Sequence, residues 1–123
     1  MKVPDASHPI TISPAAHRVR VIHAGRVVAD SRRALALKEA SYPTVHYLPR
    51  EDVDMNVLAR TPHVTHCPYK GDAAYYSIAI DGRNSANAVW TYEEPFAAVG
   101  KIAGYLAFYP QRVDTIELLP LAD

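Results

Sequence analysis

The single cysteine of this chain, Cys67, stands in the run Thr65-His66-Cys67-Pro68-Tyr69-Lys70-Gly71-Asp72, so a thiol, an imidazole and an ammonium crowd one short stretch. A thiolate is the nucleophilic form of cysteine, and a neighbouring cation favours it. Cys67 and Lys70 are therefore the candidate catalytic pair. Lys70, next to the Gly71 backbone, can also hold a carboxylate or phosphate. The plainer readings are a lone cysteine serving as a small buried hydrophobe and a lysine solvated before a turn. No residue order here fixes a bond to be made or broken, so neither a reaction nor a cofactor follows.

Further along, Trp90 and Tyr92 share one face of a strand by period two and can stack on a flat ligand, or else fill a core. Glu39 at a strand end and Arg50, just after Tyr47-Leu48-Pro49, can meet as an ion pair or line a pocket as an anion site. The candidate ligand-binding set is thus Glu39, Tyr47, Arg50, Lys70, Trp90 and Tyr92, and the ligand it suits is small and anionic or aromatic. His63, His66 and Cys67, with His46, could ligate zinc, but the spacing is tight and atypical, and no metal site is expected. Asp52-Val53-Asp54 has the look of paired magnesium-binding acids, although acids also simply favour a helix start. No Walker-type glycine loop occurs.

Elements must position these side chains, and composition bounds what they can be. A chain of 123 residues is expected to form one domain. Thirteen basic residues balance thirteen acidic ones, leaving no global field for nucleic acid or an anionic membrane. With one thiol there is no internal disulfide, which fits a reducing compartment, the cytoplasm. No apolar run approaches the ~20 residues of a membrane span, and the first residues lack a signal-peptide core.

Residues 1–17, with Pro4, Pro9 and Pro14, read as an extended arm without ladder hydrogen bonds, lying on its own domain or on a neighbouring subunit of a homodimer, or else disordered. Residues 18–123 read as a single β domain. Within it, Val19 to His23 and Val27 to Asp30 flank Ala24-Gly25-Arg26 as a hairpin. Ala34 to Glu39 and Thr44 to Leu48 continue the meander. Pro49 to Leu58 spaces Val53 and Val57 as a short helix. Gly71 leads into a strand through Ile80, Asp81-Gly82 turns, and Ala88 to Tyr92 is the next strand. Pro95 to Gly100 is a helical connector, Ile102 to Tyr109 a central strand that Gly104 can kink, and Arg112 to Leu119 a last strand. The sum is an all-β fold, a small antiparallel barrel or two curved sheets, with one or two short helices.

The order of these motifs resembles a bacterial family, domain of unknown function 427. The resemblance rests on Arg20 to Asp30, Glu39, Val45-His46-Tyr47-Leu48-Pro49, Cys67-Pro68-Tyr69-Lys70-Gly71-Asp72-Ala73, Ala88-Val89-Trp90-Thr91-Tyr92-Glu93 and Ile102 to Tyr109, and it covers about Arg18 to Asp114. It implies a small all-β domain similar to the β-tent or Mss4-like group and no known activity, although the family is also labelled nucleotidyltransferase-like. Members of that group often carry a four-cysteine zinc site, whereas only Cys67 is present here.

Two functions compete. One is a small-molecule-binding protein or enzyme whose pocket holds Cys67, Lys70, Trp90 and Tyr92. The other is a non-catalytic domain whose 67–71 stretch is a structural turn and whose arm and aromatics mediate association. The surroundings of Cys67 separate them: a partly exposed thiol near a cation favours the first, a thiol buried among Val, Leu and Phe the second.

Overall fold

The computed structural model describes residues 1–121, and its strands are all antiparallel. In chain order they are β1 (Ile10–Pro14), β2 (His17–His23), β3 (Arg26–Ser31), β4 (Leu35–Glu39), β5 (Val45–Tyr47), β6 (Leu58–Cys67), β7 (Gly71–Ile80), β8 (Arg83–Thr91), β9 (Leu106–Phe108) and β10 (Thr115–Pro120). They form three sheets, β1-β4-β5, β10-β2-β3 and β6-β7-β8-β9. Leu48 and Leu106 exchange two backbone hydrogen bonds of 2.8 Å, which stitch the first sheet to the third. The result is one broad layer ordered β1-β4-β5-β9-β8-β7-β6, with β10-β2-β3 packed on one of its faces. The fold is all-β, with three antiparallel sheets and no closed barrel among the described residues.

Period two in the strands distributes side chains to the two faces of this layer. Tyr76, Ile78 and Ile80 of β7 enter a core shared with Val19, Val21 and Val28 from the second sheet. Ala73 and Tyr75 of the same strand enter a separate core on the opposite face. The same alternation sends Leu48, Val89 and Leu106 one way and Tyr47, Trp90 and Ala107 the other. Two connections that the sequence marks as turns close tight hairpins. Ala24 and Gly25 (φ 51° and 72°) link β2 to β3, and Asp81 and Gly82 (φ 46° and 78°) link β7 to β8. Two successive positive φ values match the twist of the flanking strands.

Four departures from the sequence reading have identifiable causes. The expected helix over residues 49–58 is two short 3-10 turns, Arg50–Asp52 and Met55–Val57. Val53 between them is extended because its backbone bridges Ala29, and the Asp54 N–H donates to Val28 O. The polar segment that follows, to which the sequence reading gave no element, is the edge strand β6. Pro62 is tolerated there because it falls in the register break between Arg60 and Val64. The expected strand from Ile102 to Tyr109 shortens to β9. A 3-10 segment, Ala97–Ile102, buries Val99 and Ile102 in the second core, and Gly104 at φ 75° turns the chain before β9. Finally, residues 1–17 do make ladder hydrogen bonds, since β1 pairs with β4 in register from Ile10 opposite Glu39 to Pro14 opposite Leu35.

Candidate functional site

On the face away from the β10-β2-β3 sheet, the second core does not fill the space above it, and a cleft of about 680 Å³ opens there. One end is polar. Lys70 leaves the connection between β6 and β7, where its carbonyl accepts from the Phe96 N–H at 3.0 Å, and its ammonium meets Glu39 Oε1 at the end of β4. Lys70 is only 8% exposed. His8 Nε2 lies 2.7 Å from the other Glu39 oxygen, and its ring stacks flat on Tyr69 with centroids 4.0 Å apart. Burial alone would raise the Glu39 pKa. The hydrogen bonds from Lys70 and His8 outweigh it and hold the carboxyl below its ordinary value of 4.5. Two basic side chains therefore share one carboxylate.

The other end is aromatic. Trp90 Nε1 donates to the Tyr47 hydroxyl at 3.2 Å, with the two rings edge to face at 6.1 Å. Burial pushes the Tyr47 phenol well above its usual range, and so keeps it protonated. Trp90 also packs on Tyr109 at 4.4 Å. The Tyr75 hydroxyl links Thr65 Oγ1 at 2.9 Å to the Tyr109 hydroxyl at 3.1 Å. Burial and that Tyr75 bond push Tyr109 up to about 12. Burial raises Tyr92 further still, and among the described residues its hydroxyl has no hydrogen-bond partner. Cys67, partly buried, lies against the same ring set at the end of β6, opposite Gly71.

Glu39, Tyr47, Cys67, Lys70, Trp90 and Tyr92 all line this one cleft. Arg50 does not. It is exposed, its guanidinium 3.4 Å from the Tyr76 hydroxyl, and Glu39 takes Lys70 and His8 as partners in its place. The histidines weighed as zinc ligands lie apart in separate contacts: His63 packs on the Tyr75 ring at 4.5 Å, and His66 pairs with Asp72 at 2.7 Å. His46, on β5, is held below its ordinary pKa by burial. Among the described residues no three His, Cys, Asp or Glu side chains gather as a metal site. Asp52 is bound by Ser31 and Arg33, and Asp54 by Arg26 and the Asn56 N–H.

Sequence reasoning missed His8, Thr65, Tyr75 and Tyr109 as walls of the cleft. For Tyr75 a signal existed, since period two separates it from Tyr76 and sends it to the face of Ala73. His8, in a proline-spaced stretch, carried none. The assembled arrangement can stack a flat or apolar body against Trp90 and the tyrosines. It offers an anionic group the donors of Lys70 and His8, and any hydroxyl or carbonyl the free Tyr92 phenol.

A family model described as Domain of unknown function (DUF427) matches residues 11–118. No curated protein matches the chain.

Proposed function

From the premise that this chain belongs to the family of domain of unknown function 427, a description that carries no activity, we propose that it is a small-molecule-binding protein. Its ligand is a flat or apolar molecule with an anionic end. The observation that supports this reading is the convergence of Glu39, Tyr47, Cys67, Lys70, Trp90 and Tyr92 on one cleft. Lys70 and His8 receive the anionic end, sharing Glu39 between them. Trp90, Tyr47 and Tyr92 hold the body. If the bound molecule is also transformed, Cys67 with Lys70 is the pair that acts on it. The lone thiol fits work in the cytoplasm, and no helix among the described residues is long and apolar enough to cross a membrane.

A second reading, a non-catalytic interaction domain, draws on β6, an edge strand with Val64 62% exposed, to which a second copy could add a strand. Pro62 and the register break beside it blunt that edge, as edges guarded against pairing are blunted.

Trp90 is the only tryptophan, so its fluorescence reports the cleft directly. Titration with nucleotides, acyl thioesters and aromatic acids is expected to shift it for one of these classes. Tyr92→Phe removes a hydroxyl that has no partner among the described residues. It should leave the melting temperature unchanged and weaken the ligand by about 1 kcal/mol, the worth of one hydrogen bond. Silence from every class, with Trp90→Phe altering stability alone, would replace this reading with the interaction domain.

A further inference from the structure

The broad layer has a weak seam. Between β5 and β9 the described residues make a single bridge, Leu48 to Leu106. Beyond it the segments Thr44–Tyr47 and Ala107–Pro110 run on without pairing to each other. A second cavity of about 240 Å³ opens on the other side of the layer, against the β10-β2-β3 sheet. Its walls are almost wholly apolar, with Val19, Val21, Leu48, Phe108, Ile116 and Leu118. Thr44, Val45, Trp90 and Pro110 line both this groove and the cleft described above. Thr44 and Val45 are one lip of the unpaired seam, Pro110 the other, and Trp90 stands between them.

Resting on the cleft reading above, we infer that the two cavities form one site through this seam, and that its ligand is a linear amphipathic anion, a carboxylate with an alkyl chain. The carboxylate sits with Lys70 and His8 in the cleft, where two bases face one Glu39 carboxylate. The chain passes Trp90 and enters the groove. A groove lined by Val, Leu, Ile and Phe, with His46 and Thr44 its only polar side chains among the described residues apart from the Trp90 indole, has little to offer a polar tail and gains from each methylene removed from water. A flat aromatic acid would use the cleft alone and leave the groove open.

The test is a chain-length series, sodium hexanoate to dodecanoate, each titrated below its micelle concentration and followed by Trp90 fluorescence and calorimetry. Affinity is expected to rise about three- to fourfold per methylene through the series. Leu118, which lines the groove and is 48% exposed, can be replaced with little strain. Leu118→Asn should weaken dodecanoate severalfold and leave hexanoate unchanged. If affinity levels off at short chains, or Leu118→Asn leaves dodecanoate untouched, the tail does not cross the seam and this inference falls, while the cleft reading stands on hexanoate or on an aromatic acid. If neither the series nor any of the nucleotides, acyl thioesters and aromatic acids binds, both fall together.

Discussion

Lys70 changes character between sequence and structure. A lysine before a glycine turn reads as a solvated hook for an anion, yet here it is buried and already matched to Glu39, thirty-one positions away. Removing Lys70 leaves the Glu39 carboxylate with His8 alone, so Lys70→Ala is expected to lower unfolding free energy by about 2 kcal/mol, the worth of a hydrogen bond to a charged group, measured by urea denaturation. The acid limb of the same measurement tests the carboxylate. The folded-state pKa of Glu39 is depressed, so its contribution is complete above the ordinary value of 4.5 and is lost as pH falls through the lower folded value. Glu39→Gln should flatten that limb. The slope that remains belongs to Asp5, Asp30, Asp52 and Glu93, whose pKa values are lowered by hydrogen bonds from Ser7 and the His8 N–H, by Arg18, by Ser31 and Arg33, and by Arg60. That Glu39 could be paired was readable as one of two roles, the other being a pocket wall. Which cation it would take was not, because the choice between Arg50 and Lys70 is set by how β4, β6 and β7 are brought together, and a single sequence does not carry that register.

Hairpins were the most readable elements. Gly25 and Gly82 punctuate alternating runs, and a two-residue turn needs positive φ at both central positions. In each turn the first position is not glycine. Ala24 holds φ 51°, a region that costs a residue with a Cβ about 1 kcal/mol. Ala24→Gly should therefore raise stability by about 1 kcal/mol, read as a higher urea midpoint at unchanged slope. Elements whose form depends on a distant partner were the unreadable ones. Residues 49–58 have helical spacing and acids at the start, but the bridge from Val53 to Ala29 takes the backbone that a helix would use. β6 is polar and contains Pro62, and only an edge position beside β7 makes it a strand.

At the scale of the whole molecule, the all-β class and the shared face of Trp90 and Tyr92 follow from period two. The cleft does not, because it exists only where β4, β5, β7, β8 and the 67–70 turn meet, with residues 1–17 supplying His8 as its rim. The last strand shows what that long-range assembly means under load. β10 runs antiparallel to β2 with Thr115 opposite Ile22 and Pro120 opposite His17, so His17 and Pro120 are neighbours at one end of their ladder. A pulling force applied between those two residues does not shear the ladder. It opens it like a zip, one rung at a time, from Pro120 toward Thr115. Held in a single-molecule force experiment by tethers at His17 and Pro120, the protein should yield gradually and at low force. Tethers at His17 and Thr115, at opposite ends of the same ladder, would load every rung at once and meet a mechanically stiff domain.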